Sequence, residues 1–186
     1  LKVLKLRKIE CTDLESEIDK LEIGDPTNRE AIVAQKYFPR LFNEQNFSRR
    51  NASAANAALD YGYSILLSTV NKEIVANGYL TQLGIHHHND ENQFNLGSDL
   101  MECFRPVVDY WVSGQKFNEL TPDIKYGLVD MLNVELEYNG KTMLLRNIIP
   151  DYVRKCLNYL NNETDSIDIE VNFKDEVPNN AINGHV

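Results

Sequence analysis

The stretch that most limits what this chain can fold into is 52–77. Ala55, Ala58, Leu59, Gly62, Ile65, Leu66 and Val70 recur at spacings of three and four, the period of a buried helical face. Several are small, so neighbouring helices can approach that face closely. Asn51 is placed to cap its start, and Asn77-Gly78 ends it in the left-handed manner glycine favours. A helix this long with such a face needs partners, and the rest of the chain is expected to supply them.

It does so mostly as helices. Residues 1–23 read as helical in two pieces, restarted by a capping-box pattern at Thr12 and Glu15 and stopped by Gly24. Asp25-Pro26-Thr27 forms a turn. A second capping-box pattern, Thr27 to Glu30, opens a helix through Ala31, Val33, Ala34 and Tyr37, which Pro39 breaks or kinks near Phe38. Beyond a loop at 84–97, a helix runs from Asp99 to about Val112, bent at Pro106; another starts at Thr121-Pro122 and ends near Leu132. The period then drops to two on either side of Asn139-Gly140, a strong hairpin signal. A last helix spans about 150–160. The expected fold class is mainly α, a multi-helix domain over 1–160 with one small β-hairpin near 134–145. Residues 161–186, polar and acidic, read as a mobile tail.

The chain of 186 residues carries a net charge of −9, of which −5 lies in residues 161–186 and −4 in the first 160. Net charge alone argues against nucleic acid, but a near-balanced body leaves room for a local basic groove. No stretch is long and apolar enough to span a membrane, and no signal peptide is visible. Three scattered cysteines, Cys11, Cys103 and Cys156, fit a reducing compartment, so a cytoplasmic protein is expected. The first residue is not methionine, which suggests part of a longer chain.

Chemistry concentrates in residues 78–106. His86, His87 and His88 sit in a glycine-flanked loop, and Asp99, Glu102 and Arg105 follow three apart on one side of a helix. Imidazole and carboxylate together suit manganese, magnesium or zinc. Each residue also has an ordinary structural reading. Glu30 fits a helix cap, Asp99 and Glu102 fit first-turn acids, and Arg105 fits an ion-pair partner of Glu102. Arg49, Arg50, Lys72, Arg105, Arg146, Arg154 and Lys155 are the bases available for phosphate, or simply surface charges. Tyr61, Tyr63 and Trp111 either stack on a base or fill the core.

The segment NAALDYGYSILLSTVNKEIVANGYLTQLGIHHHNDENQFNLGSDLMECFRP (residues 56–106), together with REAIVAQKYFPRLF (29–42), closely resembles the CRISPR-associated spacer-acquisition integrases, the "Cas-one" family. It looks most like members from systems with a single large effector nuclease. The resemblance runs to about Leu160. It implies a catalytic divalent ion, Mg2+ or Mn2+, bound by Glu30, His87 and Glu102, with Asp99 as a second acidic contributor. It implies a phosphate contact from Arg105 beside the ion; of the available bases, Arg49, Arg50, Lys72 and Arg146 are expected to join it in binding DNA. Ala31 and Cys103 depart from the family's usual glycine and proline. Nothing here resembles the family's amino-terminal β-domain, so the chain reads as its catalytic helical domain. The implied reaction is attack by the 3′-hydroxyl of a captured DNA fragment on a repeat phosphodiester, or endonuclease cleavage when water attacks. The implied partners are double-stranded DNA, the small "Cas-two" bridging protein and, at full length, a second copy. The alternatives are a non-catalytic DNA- or partner-binding module of the same family, and an unrelated helical metalloprotein acting on a small molecule.

Overall fold

Ser53, rather than Asn51, starts the long helix: its Oγ accepts the Asn56 N–H at 3.1 Å, and helix α4 runs Ala54–Ala76. We analysed a computed structural model, which describes residues 1–20, 22 and 25–174. α4 is the axis of the fold. It touches α5 (Asn95–Met101), α6 (Arg105–Ser113), α7 (Pro122–Asp130) and α8 (Leu145–Leu160). The small-residue face explains this. A Cβ added at Gly62 would meet Val108 Cγ1 at 2.5 Å and Leu128 Cδ2 at 3.2 Å, so α6 and α7 both close on the bare glycine. Leu59, Leu66 and Ile74 are fully buried there. Each such burial contributes about 1.5–3 kcal/mol.

Three short elements precede the axis: α1 (Lys2–Leu6), α2 (Thr12–Ile18) and α3 (Arg29–Leu41). They gather around a second, smaller core of Val3, Leu4, Cys11, Leu14 and Leu41, distinct from the large core around α4. Phe42 packs against both. The stop expected at Gly24 lies outside the described residues.

Thr121 caps α7 and Pro122 fills its first position, as the sequence suggests. The hairpin is present too. β1 (Glu135–Tyr138) and β2 (Lys141–Leu144) pair antiparallel, with Asn139 and Gly140 both at positive φ in the turn. Three expectations need correction. Residues 161–174 are not wholly a tail: β3 (Val171–Phe173) adds to the free edge of β1, giving sheet order β2-β1-β3. Lys2 Nζ holds that strand through Val171 O at 2.9 Å and Asn172 Oδ1 at 2.6 Å. The rest of the expected tail, 175–186, lies outside the described residues. The last helix starts at Leu145, not Pro150, because the chain leaves β2 directly into it and Leu145 N–H donates back to Val134 O at 2.9 Å. Finally, the helix after the loop begins at Asn95 and breaks before Pro106, through a 3-10 turn at Glu102–Phe104. A proline ring opposes the carbonyl four residues upstream, which here belongs to Glu102. Among the described residues, no helix is long and apolar enough to cross a membrane.

Candidate metal and phosphate site

The histidine loop is built around two buried polar side chains. Asn95, at the start of α5, donates to Gln82 O and Asn89 O and accepts from Asn92 Nδ2, tying the loop's two limbs together. Asp99, one turn on, organises its tip. Asp99 Oδ2 accepts the Ile85 N–H at 2.5 Å and the His86 N–H at 3.1 Å, and Oδ1 accepts the His87 N–H at 3.1 Å. Gly84 makes this possible, since a Cβ there would stand 2.3 Å from His87 O and 2.8 Å from Asp99 Oδ2.

The same carboxylate reaches the ring. His87 Nδ1 lies 2.5 Å from Asp99 Oδ1. Burial pushes the Asp99 carboxyl up, but His87 and the loop N–H groups outweigh it and hold Asp99 below the ordinary carboxylate range. An ionised carboxylate can only accept, so Nδ1 is the donor, and in the neutral imidazole this leaves the lone pair on Nε2. This is how ligand imidazoles are oriented in metal sites, by a carboxylate on the other nitrogen. Both Asp99 oxygens thus hold the loop, a role beside the one the resemblance implies, a second acidic contributor to the ion.

Glu102 sits at the break before α6, half-exposed, with Arg105 Nη1 2.8 Å from its Oε1. The Arg105 guanidinium lies 4.6 Å from the Tyr63 ring centroid, and its Nε is buried without a partner. Glu30 is exposed on the first turn of α3. The capping-box reading of Glu30 does not hold. Asp25 caps this helix instead, its Oδ1 accepting the Arg29 N–H at 2.7 Å and its Oδ2 the Glu30 N–H at 2.9 Å. Those two N–H groups, that of Glu30 foremost, hold the Asp25 carboxyl below its ordinary range; the nearby His86 contributes too. Among the described residues, the Glu30 carboxylate enters no hydrogen bond or ion pair, so it is left for another use.

The donor types therefore suit a hard divalent ion: one oriented imidazole and two carboxylates. They are not gathered, however. Only His87 and Asp99 are brought into contact, and among the described residues no three His, Cys, Asp or Glu side chains form a group that could hold an ion.

The basic residues divide. Arg49 is committed internally, to Asn56 Oδ1 at 2.5 Å and to Asp60, between the Phe38 and Tyr63 rings. Arg154 and Lys155 pair with Asp151. Lys72 is exposed beside Glu73. Arg50 and Arg146 are exposed and, among the described residues, form no ion pair. Tyr63 is buried and bonded to Asp109, and Trp111 packs against Gly127, so both fill space rather than await a base. Sequence reasoning missed Asp109, which is buried and accepts from both Tyr37 and Tyr63. An acid set in the apolar run Val-Val-Asp-Tyr-Trp-Val was the available signal.

Residues 11–146 match the family model described as CRISPR associated protein Cas1. A CRISPR-associated endonuclease Cas1 of Neisseria meningitidis is 40% identical over 118 residues, covering 61% of this chain and 38% of the relative. A CRISPR-associated protein Cas1 of Methanobrevibacter ruminantium is 44% identical over 62 residues, 32% of this chain and 19% of the relative. The chain thus spans less than two fifths of either curated relative. The fold resembles a casposase bound to integration product, with TM-score 0.69 and 24% identity, covering 89% of this chain and 56% of that one. It also resembles a Cas1 protein from Thermotoga maritima, with TM-score 0.67 and 20% identity, over 87% and 63% of the two chains.

Proposed function

Because this chain belongs to the CRISPR-associated Cas1 family, we propose that it is the catalytic helical part of a spacer-acquisition integrase, of the kind found beside a single large effector nuclease. The reaction would be attack by a 3′-hydroxyl of a captured fragment on a repeat phosphodiester, with endonuclease cleavage when water takes the hydroxyl's place. The observation that carries this reading is the His87–Asp99 pair, an imidazole turned by a buried carboxylate so that Nε2 stays free.

Glu30, His87 Nε2 and Glu102 would hold Mg2+ or Mn2+, which when bound lowers the proton affinity of the attacking hydroxyl and offsets charge on the phosphorus. The chain's own groups have separable roles. Asp99 fixes the ring and the loop. Glu102 holds Arg105 on the side where a phosphate would sit, and Arg105 contributes its charge there. Arg50, Lys72 and Arg146 would neutralise phosphates farther along the duplex, and Arg49 would act through the loop that it braces. Double-stranded DNA is the substrate, and the small Cas-two protein and a second copy are the partners, in the cytoplasm. The resemblance to a casposase bound to integration product supports a DNA-joining role for this fold.

The rival reading is a non-catalytic binding module, favoured by the ungathered donors. A manganese-dependent nicking assay on supercoiled DNA separates the two. Cleavage by the wild type, reduced at least 100-fold in both His87→Ala and Glu102→Ala, supports the enzyme. Equal cleavage by all three means the site is elsewhere, and duplex binding without cleavage by any of them supports the module.

A further inference from the structure

Glu30 lies on α3, which packs Val33, Tyr37 and Leu41 in the small amino-terminal core and Phe38 against the large one, whereas Asp99 lies on α5, packed on α4. Something must fix α3 against the large core if these groups are to meet. Among the described residues, one buried polar contact makes that join. Asp109 of α6, 6% exposed, accepts the Tyr37 hydroxyl of α3 at 2.8 Å on Oδ2 and the Tyr63 hydroxyl of α4 on Oδ1.

The register is matched. Tyr37 follows Glu30 by seven residues, two turns of α3, so both lie on one face about 10.5 Å apart along the axis. Asp109 also follows Glu102 by seven residues, across the 3-10 turn and into α6. At one end Asp25, which caps α3, lies near His86 of the loop seated on Asp99; at the other end Tyr37 meets Asp109.

Resting on the function proposed above, we propose that Asp109 is a positioning residue: by gripping Tyr37 and Tyr63 together it sets α3 so that Glu30 closes on His87 and Glu102 when an ion arrives. It touches neither ion nor DNA. The contact is costly to build, because burial pushes the Asp109 carboxyl up and only the two tyrosine hydroxyls and the nearby Arg105 and Arg49 oppose this. A fold that needed only packing would be served by an apolar side chain there.

The test compares Tyr37→Phe with Tyr138→Phe. The second removes an equivalent bond, from Tyr138 to Asp151 at 2.8 Å, that does not involve α3. Manganese affinity is read by calorimetry, DNA nicking as kcat and KM, and folding by circular dichroism. Tyr37→Phe is expected to weaken manganese binding about tenfold and to lower kcat similarly, with KM for DNA unchanged. Tyr138→Phe is expected to melt earlier but to bind manganese as the wild type does. Asp109→Asn, which keeps the shape but only one acceptor oxygen, should fall between wild type and Tyr37→Phe, and it decides alone if Tyr37→Phe does not fold. The inference is overturned if Tyr37→Phe, or Asp109→Asn in its place, binds manganese with wild-type affinity, or if Tyr138→Phe weakens it equally. A wild type that neither binds manganese nor nicks DNA overturns the proposed function as well. A wild type that does both while Tyr37→Phe matches it overturns only the positioning role.

Discussion

At the residue scale, Asp99 connects local folding to chemistry. Its carboxyl lies below the ordinary range in the folded chain. A depressed carboxyl adds stability above its unfolded value, near 4, and loses it as pH falls through the folded value. Asp99→Asn is therefore expected to flatten part of the acid arm of a pH–Tm profile below about pH 4. It should also reduce manganese affinity by about 10–100-fold, the range for loss of a carboxylate behind a ligand imidazole. A variant with wild-type affinity would show that the ring needs no such support. Part of this site was legible as residue types: His87 and Asp99, both singled out in the sequence, are in contact, although Glu30 and Glu102 are not gathered with them. The roles were less so. Spacing put Asp99 and Glu102 on one side of a single helix, whereas Glu102 falls in the 3-10 turn after α5, and spacing did not show that the loop would fold back onto Asp99. Capping statistics favoured Thr27, whereas Asp25 won because its two oxygens reach two orphan N–H groups at once.

At the element scale, α4 carries the fold through its small face. Gly62→Ala would drive a methyl to within 2.5 Å of the branched Val108 side chain, which has little freedom to move aside. Overpacking of this kind is expected to cost about 1–3 kcal/mol, read as a lower urea midpoint with an unchanged slope. An unchanged midpoint would mean that α4 and α6 are less closely apposed. This helix and the hairpin were readable from period alone, since both are local patterns: three-and-four spacing in one, Asn-Gly between alternating residues in the other. β3 was not. Its partner strand lies more than thirty residues upstream, and nothing in Val-Asn-Phe announces that an edge is waiting. The break at Glu102 was expected at Pro106 itself, but a proline disturbs the turn before it.

At the scale of the whole molecule, the function proposed above asks an acidic chain to hold DNA, so affinity should rest on a few exposed bases and be sensitive to salt. Arg50→Ala and Arg146→Ala are each expected to weaken duplex binding uniformly across sequences and to reduce the slope of log affinity against log salt by about one. An unchanged slope in either variant would remove that residue from the interface. The same scale decides the central issue, because Glu30 on α3 and the histidine loop seated on α5 are not gathered into one site among the described residues and must be drawn together. The most direct measurement is a crystal structure of the chain soaked in manganese. The account predicts one ion bound by Glu30, His87 Nε2 and Glu102, with Asp99 still on Nδ1. Saturating manganese that binds elsewhere, or leaves Glu30 apart from His87 and Glu102, would contradict it.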